Sequence, residues 1–140
     1  MRVLFASDGS DCAARAAHYL ATSLRKQVRQ LHVTLFYVDQ PMLERVAAAL
    51  GEQRVAQIHG ENSDLCLKAT RQRLRRSRVK FDEAHTAGNA AGCIARHAQA
   101  GKYDLVLMGS HGRSALKNVL LGSVTARVLT QCRVPVLVVH

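Results

Sequence analysis

The sequence has no tryptophan, and aromatic residues make up only 4% of its 140 positions. Alanine and branched aliphatic residues must therefore build the hydrophobic core, and such side chains suit helices packed closely on a parallel sheet. The composition, 48% hydrophobic and 21% charged, is typical of a globular protein. The length is that of one domain, which we assign to residues 1–140, and it allows a stable core without disulfides.

Cysteine clusters and long apolar runs are also lacking. The four cysteines are far apart and form no C-x-x-C pair, so we expect free thiols rather than disulfides or a metal centre. They are Cys12, Cys66, Cys93 and Cys132. No stretch is long enough to span a membrane, and the opening MRVLFASDGS reaches turn residues too early for a signal peptide. We therefore expect a cytoplasmic protein that makes no membrane contact.

The familiar motifs of nucleotide enzymes are missing as well. The chain contains neither G-x-x-x-x-G-K-[ST] nor G-x-G-x-x-G, so the sequence supports neither a P-loop enzyme nor a dinucleotide-binding dehydrogenase. No catalytic triad is evident, because the neighbours Ser110 and His111 have no obvious orienting acid. The turn that contains them is better suited to binding.

Positive charge is in excess, with a formal net charge of +10. Much of it lies in KATRQRLRRSRVK, residues 68–80. A basic run of this kind can bind nucleic acid. However, it contains no aromatic residue for base stacking, and no recognised nucleic-acid motif surrounds it. A solvated basic helix face is the favoured interpretation, with binding of nucleic acid or acidic partners as the alternative.

Five short apolar runs closed by turn residues predict β-strands. They occupy residues 2–7, 31–38, 79–88, 104–109 and 134–139, and the third is expected to be more exposed. The inner runs are continuous rather than alternating, which is typical of a parallel sheet covered on both faces. Helices are predicted between the strands, so the chain has the pattern of one α/β domain.

The helices are predicted from apolar residues at helical spacing and from capping residues. Ser10 is the expected N-cap of the first helix, and Gly101 is the expected end of the helix before the fourth strand. Residues 42–78 are predicted to be helical with a break near residues 59–64, where Asn62 or Ser63 would cap the basic helix. The last helix is predicted over residues 123–131.

Three turns at the predicted carboxyl ends of strands carry polar residues: ASDGS, VDQP and MGSHG. Ligands of open α/β sheets collect at this edge. Gly109 and Gly112 would let backbone N–H groups approach a ligand, and Ser110 and His111 add donors. Asp8 could accept hydrogen bonds from an adenine amino group or a ribose hydroxyl, although a role as a turn or capping residue is the alternative.

A second glycine turn, Gly122-Ser123, opens the last predicted helix, whose free N–H groups favour an anion. Ser123 and Thr125 would add hydroxyls. We predict that one turn holds the sugar of a ligand and the other its phosphates, while residues 113–121 loop out between them. The loop would be anchored by Leu116, Val119, Leu120 and Leu121. Gly112 and Gly122 as ordinary helix caps are the alternative.

The spacing G-x2-G-x9-G-[ST], formed by Gly109, Gly112, Gly122 and Ser123, resembles the ATP-binding signature of the universal stress protein family. The likeness extends to DLVLMGSHGRS, LLGSVTARVL and CRVPVLVV, and to VLFASDGSDCAARAAHYL at the other end. This resemblance implies a five-stranded, mostly parallel, Rossmann-like sheet of the adenine nucleotide alpha hydrolase-like type, with helices on both faces. It also implies a homodimer joined through the last strand.

The resemblance further implies ATP as ligand, with Mg or Mn held by its phosphates and no metal held by side chains. Carried over by position, the nucleotide site comprises Ala6, Ser7, Asp8, Val38, Met108, Gly109, Ser110, His111, Gly112, Arg113, Ser114, Gly122, Ser123, Val124 and Thr125. Ala6 departs from the family pattern, because many relatives have a bulkier residue or proline there. A looser adenine pocket is the expected consequence.

The function that follows is an ATP-binding stress-response regulator, in which nucleotide occupancy alters conformation or partner binding. A slow ATPase or self-phosphorylating enzyme is the second hypothesis, and a basic scaffold is the third. No dedicated general base is evident near the phosphates, so slow ATP hydrolysis is the most that we expect. No catalytic residue is assigned, and His111 is the only plausible base.

Overall fold

The fold is that of a computed structural model, which describes residues 1–113 and 121–140. Strands and helices alternate along the chain, as the sequence predicts. The elements are β1 (Arg2–Ala6), α1 (Asp11–Tyr19), a π-helical turn (Leu20–Leu24), α2 (Arg25–Gln27), β2 (His32–Asp39), α3 (Glu44–Leu50), α4 (Glu52–Arg76), β3 (Phe81–Ala87), α5 (Ala90–Ala100), β4 (Leu105–Gly109), α6 (Ser123–Gln131) and β5 (Val136–Val139).

The five strands form one parallel sheet in the order β3-β2-β1-β4-β5. The chain moves outward from β1 to β2 and β3, and then returns to the other side of β1 for β4 and β5. The expected α/β fold with five parallel strands and covering helices is thereby confirmed. The reversal of strand order between β1 and β4 opens a crevice at their carboxyl ends, where such folds bind ligands.

Alternate residues of β1 build two separate cores. Val3 and Phe5 pack with α1 and α4 on one face of the sheet, and Leu4 and Ala6 pack with α5 and α6 on the other. Helix α5 contributes Ala91, Ile94 and Ala98, the apolar stripe that its sequence predicts. Alanine-rich helix faces bring the helix backbones close to the sheet, which sets the walls of the crevice.

Helix α1 begins as predicted, because the hydroxyl of Ser10 accepts a hydrogen bond from the N–H of Ala13. The prediction of a break at residues 59–64 was wrong. The helix instead breaks at Gly51, whose φ of 81° lies in the left-handed region that glycine tolerates. Asn62 and Ser63 lie inside α4 and cap nothing, and Ser63 is buried.

Several boundaries also differ by one to three residues from the sequence prediction. Strand β3 runs over Phe81–Ala87, and it is an exposed edge strand, as expected. Helix α5 ends at Gly101 as predicted, but the left-handed residue there is Lys102, with φ of 51°. In the described part of the chain, no helix is both long and apolar enough to cross a membrane. Helix α4 is long but strongly charged.

Candidate functional site

A cleft of about 480 Å³ lies at the carboxyl ends of β1, β2 and β4. The three turns singled out in the sequence meet there, although they are far apart along the chain. The cleft is lined by Ala6, Ser7, Asp8, Phe36, Tyr37, Val38, Asp39, Gln40, Ala90, Ile94, Met108, Gly109, His111, Gly112, Arg113, Val124 and Thr125. It therefore has an apolar wall from the sheet and α5, and a polar rim from the turns.

Most of the predicted site residues line this cleft. Ser110, Gly122 and Ser123 are not among the lining residues, and Ser114 lies outside the described residues, as do three of the predicted loop anchors. Those anchors are Leu116, Val119 and Leu120. Sequence reasoning missed Phe36, Tyr37, Asp39, Gln40, Ala90 and Ile94. The turn VDQP pointed to the β2 end, but nothing in the sequence placed the start of α5 opposite it.

Packing against α1 requires that residue 109 has no side chain. A Cβ atom at Gly109 would lie 2.7 Å from the carbonyl carbon and the Cβ of Cys12, and 2.9 Å from the backbone nitrogen of Ala13. Contacts under 3.0 Å to backbone atoms are too close, so any other residue at position 109 would force α1 to move. Gly109 therefore allows α1 to lie against the end of β4, and the site is shaped indirectly by this close approach.

Gly112 and Gly122 bring the two glycine turns together. A Cβ atom at Gly112 would lie 2.8 Å from Oδ2 of Asp8, and one at Gly122 would lie 3.2 Å from Cα of His111. The N–H of Gly122 donates to the carbonyl of Ser110 at 2.8 Å. Gly112 and Gly122 therefore lie close together although they are ten positions apart, and the start of α6 borders the cleft.

Gly122 is the N-cap of α6 and supplies no capping side chain. The first intrahelical bond joins the N–H of Ala126 to the carbonyl of Gly122, so the N–H groups before it have no helical acceptor. Val124 and Thr125 line the cleft. The hydroxyl of Thr125 donates to the carbonyl of Gly109 at 3.0 Å, so its proton is not available to a bound ligand. The helix start offers backbone donors and a positive dipole end to an anion.

Ser110 is almost completely buried and links several parts of the site. Its backbone N–H donates to the carbonyl of Val139, and its hydroxyl lies 3.0 Å from Nδ1 of His111 and 3.6 Å from the sulfur of Cys12. The side chain is therefore held inside the turn, whereas the half-buried His111 lines the cleft.

The first turn of the site is fixed by local hydrogen bonds. Oδ1 of Asp8 accepts from the N–H of Ser10 at 3.0 Å, as expected for a turn-forming Asp-Gly-Ser. The Nε of Arg113 donates to the carbonyl of Asp8 at 2.9 Å, and its terminal nitrogen donates to the sulfur of Cys66. Arg113 thus bridges the rim from the β4 turn to the β1 turn and α4.

The backbone of Val38 borders the cleft at the carboxyl end of β2. The N–H of Ser7 donates to the carbonyl of Phe36, so Phe36 presents its polar backbone groups to β1. Val38 faces the same side two residues later, beyond Ala6, the last β1 residue paired with β2. Within residues 1–113 and 121–140, no backbone hydrogen bond to Val38 is seen from that side. Val38 therefore presents its backbone N–H, a donor, and its carbonyl, an acceptor, side by side at this edge of β2.

Asp39 closes this end of the cleft, and four donors surround its carboxylate. Oδ1 accepts from the Tyr37 hydroxyl at 3.1 Å and from the Gln40 N–H at 2.9 Å, and Oδ2 accepts from Nδ1 of His59 and Nδ2 of Asn62, each at 2.8 Å. Burial acts to raise the pKa of Asp39, but these hydrogen bonds outweigh it and the net pKa is lowered. Asp39 therefore positions the β2 turn as a charged carboxylate.

Metal ligands are not clustered in this region. In the described residues, no group of three or more histidine, cysteine, aspartate or glutamate side chains could hold a metal ion. The carboxylate of Asp39 already accepts four hydrogen bonds.

The model of the universal stress protein family matches residues 1–140. Universal stress protein MJ0531 of Methanocaldococcus jannaschii is 28% identical over 138 residues, which cover 99% of this chain and 81% of the relative. Universal stress protein YxiE of Bacillus subtilis is 30% identical over 147 residues, with 99% and 98% of the two chains covered.

Solved structures share the fold. The structure of MJ0577 matches with a TM-score of 0.77 and 26% identity, over 99% of this chain and 94% of that chain. More distant structures of the same fold include a universal stress protein in complex with cAMP, at a TM-score of 0.64 and 23% identity over 100% and 96% of the two chains. An Arabidopsis thaliana family protein with AMP bound matches at 0.69 and 14% identity, over 99% and 90%.

Proposed function

Because the chain belongs to the universal stress protein family, we propose that it is an ATP-binding stress-response regulator. The observation that carries the proposal is the cleft, which is bordered both by the β1-facing backbone groups of Val38 and by the start of α6, where no side chain caps the helix. Relatives in complex with cAMP and with AMP support an adenine nucleotide as the ligand class. We treat residues 1–140 as one domain of this kind, acting in the cytoplasm.

The adenine would lie between the sheet and α5. Ala6 of β1, Met108 of β4 and Ile94 of α5 all line the cleft and supply its apolar surface there. The backbone N–H and carbonyl of Val38 match the acceptor and donor that adenine presents side by side on its edge. The small Ala6 side chain leaves room above β1, in keeping with a loose fit to the base.

The ribose and phosphates would lie along the glycine turns. Gly112 and His111 line the cleft beside Asp8, which still has a carboxylate oxygen for a ribose hydroxyl. The N–H groups at the start of α6, which have no helical acceptor, would hold the phosphates, with the guanidinium of Arg113 at the rim. Mg or Mn would be held mainly by the phosphates.

Binding rather than rapid chemistry is the proposed role. Hydrolysis needs a base that activates water at the terminal phosphate. The described phosphate end offers backbone N–H groups, Arg113 and His111, and Nδ1 of His111 lies 3.0 Å from the Ser110 hydroxyl. Nucleotide occupancy would instead change the surface around Arg113, which joins Asp8 and Cys66 across the rim.

We expect the protein to retain ATP without hydrolysing it rapidly. After incubation with ATP and Mg²⁺ and removal of free nucleotide, mass spectrometry of the nucleotide released by denaturation should detect intact ATP. The ratio of ATP to ADP should be the same for His111→Ala. Recovery of ADP from the natural protein but ATP from the variant would favour an enzyme. Release of no nucleotide at all would contradict the ATP proposal.

We also propose a homodimer joined through β5. This strand has only β4 as a neighbour within the described sheet, and all four of its residues are half-buried in the single chain. The carbonyls of Pro135 and Val139 accept hydrogen bonds from β4-side residues, so odd-numbered residues of β5 face β4 and even-numbered ones face outward. Within the described sheet, β5 is thus an edge strand with apolar side chains and outward N–H groups that lack a strand partner, and a second copy would cover this edge.

Val138→Pro should convert the dimer to a monomer at micromolar concentration, as measured by light scattering. Proline removes one outward-facing donor and leaves the bonds to β4 in place. The control Val138→Thr keeps the N–H and the branched side chain, and should remain dimeric. A monomer mass for the natural protein, or an intact Val138→Pro dimer, would contradict pairing through β5.

A further inference from the structure

A second cleft, of about 420 Å³, lies between α1 and α4 and is distinct from the nucleotide cleft. Its walls include Ala14 of α1 and Ala69, Thr70, Arg73, Arg76 and Ser77 at the carboxyl-terminal end of α4 and just beyond it. Thr70 is buried, and its hydroxyl lies 3.0 Å from that of Ser7, which lines the nucleotide cleft. This hydrogen-bonded pair separates the two clefts.

The charges around the second cleft are of one sign. Arg73 and Arg76 are one helical turn apart and therefore project from the same face of α4. On α1 the exposed His18 lies beside Arg73, at 3.3 Å between ring Nδ1 and guanidinium, and arginine can only donate in this pair. At the far end, Arg25 donates to the carbonyl of Ser77.

Carboxylates do not neutralise this cluster. Within residues 1–113 and 121–140, the ion pairs of arginine involve only Arg54 and Arg71, and Arg71 is bound by both Asp64 and Glu83. No acidic residue of the described chain lines the second cleft. The basic run of residues 68–80 is thus divided: Arg71 is paired, whereas Arg73 and Arg76 face an open cleft without a carboxylate.

We infer that this cleft, the α1–α4 basic cleft, binds an acidic segment of a partner protein. Guanidinium groups pair with carboxylates in a bidentate way, and two arginines at helical spacing can engage successive acidic side chains. Ala14 and Ala69 leave space for a peptide backbone between the helices. In the described part of the chain, no tryptophan, tyrosine or phenylalanine lines this cleft, so the stacking platform typical of single-stranded nucleic acid sites is not seen there.

A fluorescein-labelled decaglutamate peptide tests the inference by fluorescence anisotropy in the full-length protein. We expect binding that weakens as salt is raised, and a loss of affinity of about tenfold or more in Arg73→Glu/Arg76→Glu, because two attractive contacts become repulsive. The matched control Arg75→Glu/Lys80→Glu makes the same change of net charge at exposed positions outside the cleft. Its affinity for the peptide should fall by less than about threefold, because only the long-range attraction between protein and peptide is weakened.

Equal losses in both double variants would overturn the inference, because only net charge would matter. Tighter binding of a ten-residue oligothymidylate than of the peptide, with the same dependence on Arg73 and Arg76, would overturn it in favour of nucleic acid. Saturating ATP should not displace the peptide, and displacement would also contradict a separate site. If the charge reversal failed to fold by circular dichroism, Arg73→Gln/Arg76→Gln should still weaken peptide binding relative to Arg75→Gln/Lys80→Gln.

Discussion

Gly122→Val is expected to weaken ATP binding by roughly 100-fold or more while the fold survives. A Cβ atom at this position would lie 3.2 Å from Cα of His111 and 3.3 Å from the carbonyl oxygen of Ser110. These are backbone atoms, so the larger valine would push the glycine turn away from the start of α6. Loss of two hydrogen bonds to charged phosphates, each contributing about 1.5–3 kcal/mol, corresponds to that change in affinity.

The fold should tolerate the substitution, because Gly122 has φ −66° and ψ 154°, an extended conformation that valine readily adopts. Isothermal titration calorimetry measures the affinity, and circular dichroism checks the fold. Gly60→Val is the matched control, since a Cβ atom at Gly60 would meet nothing within 4 Å and the residue lies far along α4. Unchanged ATP affinity in Gly122→Val would show that the phosphates lie elsewhere.

Asp39→Ala is expected to lower the free energy of unfolding by about 3 kcal/mol, because it leaves one buried donor and several half-buried donors without their acceptor. The carboxylate accepts hydrogen bonds from Tyr37, His59 and Asn62 as well as from a backbone N–H, and it thereby joins β2 to α4. Urea unfolding measures the change. The matched control Asp82→Ala removes an exposed carboxylate from the neighbouring strand and should cost little.

The effect of Asp39 should also depend on pH in a defined direction. The pKa of Asp39 is lowered in the folded protein, so its charged form contributes stability above the ordinary pKa of aspartic acid, at about pH 4. That contribution is lost as the pH falls through the lower folded-state pKa. The difference in unfolding free energy between the natural protein and Asp39→Ala should therefore shrink on acidification. A constant difference across this range would contradict the charged network.

The sequence by itself determined the fold class and most of the residues that line the cleft. Continuous apolar runs separated by helical patterns predict a buried parallel sheet, because hydrophobic periodicity can be read from short local stretches of the sequence. The turns after β1, β2 and β4 could be assigned to one cleft, since the carboxyl ends of parallel strands share an edge. The glycine spacing from Gly109 to Gly122 led to the family, and the family model matches the whole chain.

Only the tertiary structure decided which contacts individual residues make within this fold. Asn62, predicted to cap a helix, instead binds Asp39 from 23 positions away, and Gly109 is needed because Cys12 of α1 packs against it. The open cleft beside Arg73 likewise depends on how α1 lies across α4. These contacts join residues that are distant in sequence. Their geometry is set by the packing of whole elements, which local periodicity and turn chemistry do not encode.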